Sequence, residues 1–295
     1  MRHLYNVLRN ILSHPLNRQA PLAAMRRFVL WQIASRCAPG KIAVDWIRET
    51  RFFASHGEAG VTGNIYNGLS DFEEMSFLLH FLREDDVFVD IGANAGIYTI
   101  LASGAVGARS ISFEPIPTTY HRLEANIELN NIGDRVSAYN RALGASTGEL
   151  VFSLDRDCMN RVVAGPTHSD VAKVPVSRLD DTVRQPVTMI KLDVEGFEKP
   201  VLEGAHHTLA RPELKALIVE LNGSGAMYGH SDDQVMAQLA GHGFEPFTYS
   251  PLKRQLIPQA GAASRPPNLI FLRDKALVER RIATGNPIAI FGATI

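Results

Sequence analysis

Residues 87–99 read VFVDIGANAGIYT, an apolar run that passes into a glycine-containing turn and then into a helix. Gly92 and Gly96 carry no Cβ atom, so the turn can approach a ligand closely. The first N–H groups of a helix are unpaired and favour a negative or polar ligand group. Asn94 stands where a second glycine is common, and asparagine tolerates left-handed backbone angles. The stretch therefore predicts a strand, a turn and a helix that together hold a nucleotide-like ligand.

The spacing of the two glycines separates this turn from the dinucleotide fingerprint G-x-G-x-x-G, in which the middle glycine lets a pyrophosphate approach. Here three residues lie between Gly92 and Gly96, and Ile97 follows. The pattern favours a cofactor without a pyrophosphate. An NAD-dependent oxidoreductase is kept as an alternative, as is a tight turn with a purely structural role.

The segments on either side alternate between predicted strands and helices. Apolar runs predict strands at 110–113, 136–139, 150–154, 171–176, 189–194 and 217–221, and helical periods cover 117–129, 198–209 and 232–240. Such alternation predicts an α/β fold with a mostly parallel sheet covered on both faces. Runs at 244–249 and 269–272 are joined by a loop rich in Pro, Gly and Ala, so we expect a C-terminal antiparallel hairpin.

An acidic residue follows the strand after the glycine turn. Glu114 comes directly after Phe113 and 22 positions after Gly92. A carboxylate at about this separation can accept both hydroxyls of a ribose. Together the turn and Glu114 predict an adenosine site, whereas the alternative is a solvated glutamate at a strand end.

Further polar side chains follow the last two parallel strands. Asp193 and Glu195 come after residues 189–192, and Glu220 and Asn222 come at the end of the next strand. The carboxyl ends of parallel strands meet at one edge of the sheet, so these groups are expected to surround one cleft with Gly92. A magnesium site built from Asp193, Glu220 and Asn222 is an alternative that the sequence leaves open. No metal is included among the predicted ligands of the protein.

Composition narrows the classes of function. The chain has 295 residues, with 30 Lys and Arg against 31 Asp and Glu, a net charge of −1. Residues 1–60 hold nine basic and three acidic side chains, so the remainder carries −7. A nucleic-acid partner is not expected for such a chain. The sequence motifs G-x-x-x-x-G-K-[ST] and H-E-x-x-H are missing, which argues against P-loop enzymes and zinc proteases.

The N-terminal segment has the pattern of an amphipathic helix, with apolar residues at Leu4, Val7, Leu8, Ile11 and Leu12. It lacks the apolar stretch of a signal peptide, and no run is long enough to span a membrane. A weak contact with a membrane surface through this helix is one interpretation, and docking on its own domain is the other.

Only two cysteines occur, Cys37 and Cys158, which is neither a disulfide framework nor a zinc spacing. The sequence therefore predicts a cytoplasmic location. The oligomeric state is left open.

Several of these motifs occur together in one known family. The sequence resembles the FkbM-type S-adenosylmethionine-dependent methyltransferases over about residues 68–222. The resemblance is carried by residues 90–96, 113–115, 126–130, 140–143 with Gly148, 179–180 and, most specifically, 190–198. It implies a Rossmann-like, seven-stranded methyltransferase sheet and transfer of a methyl group to a hydroxyl oxygen of a natural product or a sugar.

The resemblance also implies roles for individual residues in binding S-adenosylmethionine. Asp90, Gly92, Asn94 and Gly96 would line the methionine and ribose side. Glu114 would hold the ribose hydroxyls, and Asn140 would lie beside the adenine.

The acceptor hydroxyl needs a base, because an alcohol is too weakly acidic to be a good nucleophile at neutral pH. Asp193 is the first candidate and Glu195 the second. His230 is a further candidate, whose alternative is a solvated surface histidine. Non-catalytic ligand binding on a degenerate cofactor fold is the alternative function from another class.

The predicted division of the chain is a basic, helical N-terminal extension over residues 1–67 and a methyltransferase domain over residues 68–295. Prolines divide the first 60 residues into short helical pieces, and the glycines of residues 57–68 predict a loop or hairpin. The extension is expected to shape the acceptor pocket or dock a partner.

Overall fold

The structure is a computed structural model that describes residues 2–38, 40–153, 171–261 and 265–295. Its α-helices alternate with strands along most of the chain. They are α1 (Arg2–Ser13), α2 (Pro21–Cys37), α3 (Ala59–Asn67), α4 (Phe72–Phe81), α5 (Ile97–Thr99), α6 (Pro117–Leu129), α7 (Leu179–Thr182), α8 (Glu198–Glu203), α9 (His206–Ala210), α10 (Asp232–Gly241) and α11 (Lys275–Ala283).

The strands follow the apolar runs of the sequence closely. They are β1 (Ile42–Asp45), β2 (Arg51–Ala54), β3 (Val87–Ile91), β4 (Arg109–Phe113), β5 (Val136–Tyr139), β6 (Ala142–Leu143), β7 (Gly148–Ser153), β8 (Val171–Ser177), β9 (Met189–Leu192), β10 (Ala216–Glu220), β11 (Glu245–Ser250), β12 (Gln255–Pro258), β13 (Asn268–Leu272), β14 (Ala289–Ile290) and β15 (Ala293–Thr294). Leu154, at the end of the strand predicted over 150–154, and Cys158 lie outside the described residues.

The main sheet has the order β12-β11-β13-β10-β9-β3-β4-β5. Strands β5, β4, β3, β9 and β10 are parallel neighbours, and β13 is antiparallel to both β10 and β11. The predicted α/β architecture with a mostly parallel sheet is therefore confirmed. In the described part of the chain this sheet has eight strands instead of the expected seven, because β12 forms inside the loop between β11 and β13 and pairs with β11.

The strand order reverses at β3. Its neighbour on one side is β4, the next strand of this sheet along the chain, and its neighbour on the other side is β9. At such a reversal the segments that follow adjacent strands leave toward opposite sides, and a crevice opens beyond their carboxyl ends. The residues that follow β3 and β9 begin with Gly92 and Asp193, so the topology places these two residues beside the crevice.

Two apolar layers cover the sheet, and neighbouring residues of β3 alternate between them. Phe88 belongs to a core cluster that also includes Trp31, Phe77 and Tyr249, whereas Val89 belongs to a second cluster on the other face. The first layer contains side chains from α1, α2 and α4. Residues of the N-terminal segment therefore share a core with the sheet, and the domain boundary at residue 67 stays a prediction.

Two details of the N-terminal prediction are wrong. The first 60 residues are not only short helical pieces, because β1 and β2 form an antiparallel hairpin. The glycine-rich stretch 57–68 is not a loop or hairpin, because most of it forms α3, which ends where Gly68 adopts a φ of 81°. Gly63 lets the helix approach residue 70, since a Cβ there would lie 3.0 Å from the Cβ of Ser70.

Two further predictions are modified by the structure. The helix expected over 198–209 is divided into α8 and α9 at Gly204, where a Cβ would meet the carbonyl oxygen of Gly144 at 2.0 Å. Strands β7 and β8 belong to a separate sheet of order β6-β8-β7, outside the main sheet.

Candidate functional site

A cleft of about 260 Å³ lies beyond the carboxyl ends of β3, β4, β9 and β10. Of the predicted site residues, Gly92, Asn94, Glu114, Asp193 and Glu195 line it together. The topology brings these residues into one cleft although they lie up to 103 positions apart in the chain (Gly92 to Glu195). Other side chains that line the cleft include Val61, Asp71, Tyr98, Phe113, Ile116, Arg141, Leu143, Phe152, Lys191 and Glu220.

The glycine turn adopts the left-handed conformations that its sequence predicts. Gly92, Asn94 and Gly96 have φ angles of 78°, 51° and 82°. The space above the glycines, however, is filled by protein and not by a ligand. A Cβ at Gly92 would lie 1.8 Å from the carbonyl oxygen of Asp193, and one at Gly96 would lie 2.4 Å from Cδ1 of Leu123. Gly92 thus allows the segments after β3 and β9 to pack directly against each other.

Glu114 is 5% exposed, and both of its carboxylate oxygens accept backbone N–H groups. Asn94 N donates to Oε2 and Ile116 N donates to Oε1, each at 2.9 Å. Burial raises the pKa of Glu114 to about 7, although these two hydrogen bonds oppose the shift. Each carboxylate oxygen has a second lone pair, so the carboxylate can still accept hydroxyl groups from a ligand.

Asp90, Gly96 and Asn140 are not among the residues that line the cleft. Asn140 instead donates from Nδ2 to the carbonyl oxygens of Glu114 and Pro115, both at 2.9 Å, which holds the segment that carries Glu114. The direct contact of these three residues with a cofactor stays a prediction.

A charged pair is buried at the centre of the sheet below the cleft. Asp90 on β3 and Lys191 on β9 are register partners on adjacent parallel strands. The exposed fractions of Asp90 and Lys191 are 1% and 7%. Thr99 Oγ1 donates to Asp90 Oδ2 at 2.7 Å, but Asp90 Oδ1 has no hydrogen-bond partner among the described residues. Burial raises the pKa of Asp90, and the positive charge of Lys191 opposes this shift.

Lys191 carries its charge toward the cleft. Its Nζ donates to Asp193 Oδ2 at 2.7 Å and lies 4.8 Å from the centre of the Tyr98 ring. Burial would lower the pKa of Lys191, but the carboxylates of Asp193 and Asp90 raise it above its usual value. The ammonium is therefore charged, and it holds Asp193 in place.

Asp193 and Glu220 are neighbouring carboxyl groups with opposite pKa shifts. Burial would raise the pKa of Asp193, but the ammonium of Lys191 lowers it below its usual value. Burial and the negative charge of Asp193 raise the pKa of Glu220 to about 8. No described residue donates a hydrogen bond to Glu220 Oε2. At neutral pH Glu220 therefore keeps its proton and can donate a hydrogen bond to Asp193.

The three carboxyl groups of Asp193, Glu195 and Glu220 lie within 4.8 Å of one another. Glu195 enters this group because its backbone is left-handed, with a φ of 53°. Asn222 is not among the residues that line the cleft, and its Oδ1 accepts hydrogen bonds from the N and Oγ of Ser224. The acidic groups that could bind magnesium are therefore Asp193, Glu195 and Glu220, instead of the expected set of Asp193, Glu220 and Asn222. Lys191 already supplies a positive charge at Asp193.

Two further residues line the cleft and were not identified from the sequence: Asp71, which precedes α4, and Tyr98 on α5. Tyr98 OH donates to Asp71 Oδ2 at 3.0 Å, and burial raises the pKa of both groups. Lys191 lies in the stretch 190–198, and the sequence alone indicated no role for it. A charged residue between Ile190 and Leu192 of a buried strand was the available signal. Asp71 had no comparable signal, because it precedes an ordinary helix.

His230 is 8% exposed, so the expectation of a solvated surface histidine is wrong. Its ring instead lies close to Gly225, where a Cβ would meet the ring Nε2 at 2.9 Å. His230 is also not among the residues that line the cleft. Its part in catalysis stays untested.

Two characterised proteins resemble the chain in sequence. The 31-O-demethyl-FK506 methyltransferase FkbM of Streptomyces tacrolimicus is 26% identical, over 64% of this chain and 84% of the relative. The hexuronic acid methyltransferase AglP of Haloferax volcanii is 30% identical, over 49% of this chain and 59% of the relative.

A crystal structure of methyltransferase FkbM from Methylobacillus flagellatus KT superimposes with a TM-score of 0.44 at 17% identity, covering 65% of this chain and 44% of that one. The model of the methyltransferase FkbM domain matches residues 90–246, which include the glycine turn, Glu114 and the carboxyl groups after β9 and β10. This match extends over more than half of the 295 residues. The chain belongs to the FkbM methyltransferase family.

Proposed function

We propose that the protein transfers a methyl group from S-adenosylmethionine to a hydroxyl oxygen of a small molecule or a sugar. The observation that carries this proposal is the single cleft lined by both Glu114 and Asp193. One carboxylate suits the ribose of an adenosine cofactor, and the other is held beside a lysine where it can accept a proton.

The names of the relatives support an oxygen acceptor. One relative is named as a 31-O-demethyl-FK506 methyltransferase and the other as a hexuronic acid methyltransferase. The first name states a substrate that lacks an O-methyl group, and a hexuronic acid carries hydroxyl groups. We therefore take a hydroxyl compound as the acceptor class and leave the individual acceptor open.

The chemistry of the cleft fits S-adenosylmethionine. Phe113, Ile116 and Phe152 provide an apolar wall suited to an adenine ring, and Glu114 can accept ribose hydroxyls. Asp71 lines the same cleft and complements the positive charge of a sulfonium and an ammonium group. When bound, the cofactor supplies an electrophilic methyl group on a positively charged sulfur.

The acceptor hydroxyl is proposed to lie against Asp193. A base that takes the proton as the oxygen attacks accelerates such a reaction by roughly 10²–10⁴. Lys191 keeps Asp193 ionised and oriented, while the proton on Glu220 provides a hydrogen bond to the same carboxylate. The remaining acceleration of the reaction comes from positioning, because the reacting oxygen must lie about 3–3.5 Å from the methyl carbon. Glu195 is the second candidate for the base.

Calorimetric titration tests the cofactor. We expect the protein to bind S-adenosylmethionine and S-adenosylhomocysteine and not NAD. Preferential binding of NAD would overturn the proposal in favour of an oxidoreductase. A screen of hydroxyl compounds with methyl-labelled cofactor then tests turnover. Cofactor binding without methyl transfer to any hydroxyl acceptor would favour the non-catalytic alternative.

A further inference from the structure

Helix α2 presents apolar side chains on two opposite sides. Its inner side packs in the core through Ala24 and Trp31, which are 0% and 6% exposed. Leu22, Val29 and Ile33 point to the opposite side, and their exposed fractions are 85%, 47% and 56%. A helix that is apolar all round is normally covered on both sides. Here the core covers only one of them.

The exposed side of α2 also carries positive charge. At 100° per residue, Arg26 and Arg36 lie about 40° to either side of Leu22, on the same face as Val29 and Ile33. Both arginines are exposed. We call these five residues the outer face of α2. The sequence contains neither aspartate nor glutamate before Asp45, so this charge is not balanced by acidic side chains of α1 or α2.

Helix α1, which contacts α2, has the same character. Leu4, Tyr5 and Leu12 are 51%, 66% and 40% exposed, and Arg9 is exposed on the same helix. Exposed large apolar side chains are thus concentrated in α1 and α2, and neither helix contains an acidic residue. No helix within the described ranges has the length and apolarity that crossing a membrane requires.

We propose that the outer face of α2 binds the surface of an anionic lipid bilayer, with the helix lying in the plane of the interface. Aliphatic side chains would enter the boundary between headgroups and acyl chains, and the arginines would extend along it to the lipid phosphates. This inference is independent of methyl transfer. The sequence pattern indicated a membrane contact through the N-terminal helix α1, whereas the proposal assigns this contact to α2.

A second copy of the chain fits this face less well. In a symmetric dimer the same patch meets itself, so that Arg26 and Arg36 would face positive charges with no acidic partner on the patch. An acidic protein would satisfy the charges, but such an interface depends on an anchor seated in a pocket, and the outer face of α2 is one side of a single helix. A bilayer matches both the shape and the charge.

Co-sedimentation with vesicles tests the proposal on the full chain. The vesicles are phosphatidylcholine alone, or equal parts of phosphatidylcholine and phosphatidylglycerol. We expect binding to the anionic vesicles only, and we expect added salt to weaken it. The double substitution Val29→Glu with Ile33→Glu should abolish binding. Arg26→Gln with Arg36→Gln should weaken it by about tenfold or more, since each basic residue near the surface contributes measurably.

The matched control is Leu252→Glu with Ile257→Glu, which adds the same charges at exposed apolar positions of another region. This variant should bind anionic vesicles as the unmodified protein does. Circular dichroism and thermal unfolding establish that all variants are folded. Absence of binding to anionic vesicles would overturn the proposal. Equal loss of binding in the control, or a dimer in sedimentation velocity that only the α2 variant dissociates, would also overturn it.

Discussion

Glu114 and Asp193 are both carboxylates that follow a parallel strand, yet their surroundings differ. Glu114 is buried and accepts two backbone N–H groups, with no lysine or arginine hydrogen-bonded to it among the described residues. Asp193 is half-buried, is paired with Lys191 and has the carboxyl groups of Glu195 and Glu220 beside it. The first carboxylate is held rigidly by the main chain, and the second belongs to a group of interacting acids.

This difference separates binding from chemistry within one cleft. A carboxylate fixed by backbone donors keeps its orientation whether or not a ligand is present, which suits recognition of a fixed pair of hydroxyls. A carboxylate whose charge depends on neighbouring titratable groups can exchange a proton during a reaction. Substitutions on the two sides should therefore affect different measured quantities.

The largest effect is expected for Asp193→Asn. The amide keeps the size of the side chain and can still accept a hydrogen bond from Lys191, but it cannot take a proton. We expect kcat to fall by roughly 10²–10⁴ while the fold and the affinity for S-adenosylhomocysteine are retained. Steady-state kinetics and calorimetry measure the two quantities.

Glu195→Gln is the matched comparison for the Asp193 substitution, because it changes the second candidate base in the same cluster. Its loss of kcat should be smaller. Full activity of Asp193→Asn together with an inactive Glu195→Gln would transfer the role of base to Glu195.

Glu114→Ala should act on binding. At a pH well above 7, where Glu114 is ionised, it removes a charged acceptor for the ribose hydroxyls and leaves the backbone N–H groups of Asn94 and Ile116 without their partner. We expect weaker binding of S-adenosylhomocysteine by about 1.5–3 kcal/mol, the usual range for hydrogen bonds to a charged group. Calorimetry measures this difference. Glu128→Ala, an exposed charge removal on α6, should leave affinity unchanged. Unchanged affinity in Glu114→Ala would place the ribose elsewhere.

The acidic side should show a pH dependence that depends on Glu220. Its raised pKa of about 8 means that it is protonated below this pH and loses its proton above it. Loss of the proton adds a negative charge beside Asp193 and makes Asp193 a stronger base. We expect kcat to rise a few-fold as the pH passes about 8. In Glu220→Gln, which keeps a hydrogen-bond donor but does not titrate, this step should disappear; a step of unchanged size would refute the assignment.

The smallest effect is expected from removing divalent cations. The ammonium of Lys191 already lies at Asp193, and Asn222 is not among the residues that line the cleft. Treatment with EDTA should therefore change the rate by less than about twofold. Loss of activity on chelation, restored by Mg²⁺, would instead favour metal assistance through Asp193, Glu195 and Glu220.

Much of the framework could be predicted from sequence because it depends on local patterns. The periodicity of apolar residues located β3 and α6 at Val87–Ile91 and Pro117–Leu129, as the structure has them. The order of strands and helices was sufficient to predict that Gly92, Glu114 and Asp193 meet at one edge of the sheet. Local patterns were misleading where tertiary packing overrode them, as in the glycine-rich stretch that forms α3.

The sequence by itself determined the strand–turn–helix unit, the left-handed turn at Asn94 and the acidic residues that follow the strands. Only the tertiary structure decided that Asp90 lies beside Lys191, that Asp71 reaches the cleft and that Glu220 carries a proton next to Asp193. Backbone conformation and amphipathic periods arise from neighbouring residues, so they can be recognised in a linear sequence. Charge states depend on burial and on distances between residues far apart in the chain, and these exist only after folding.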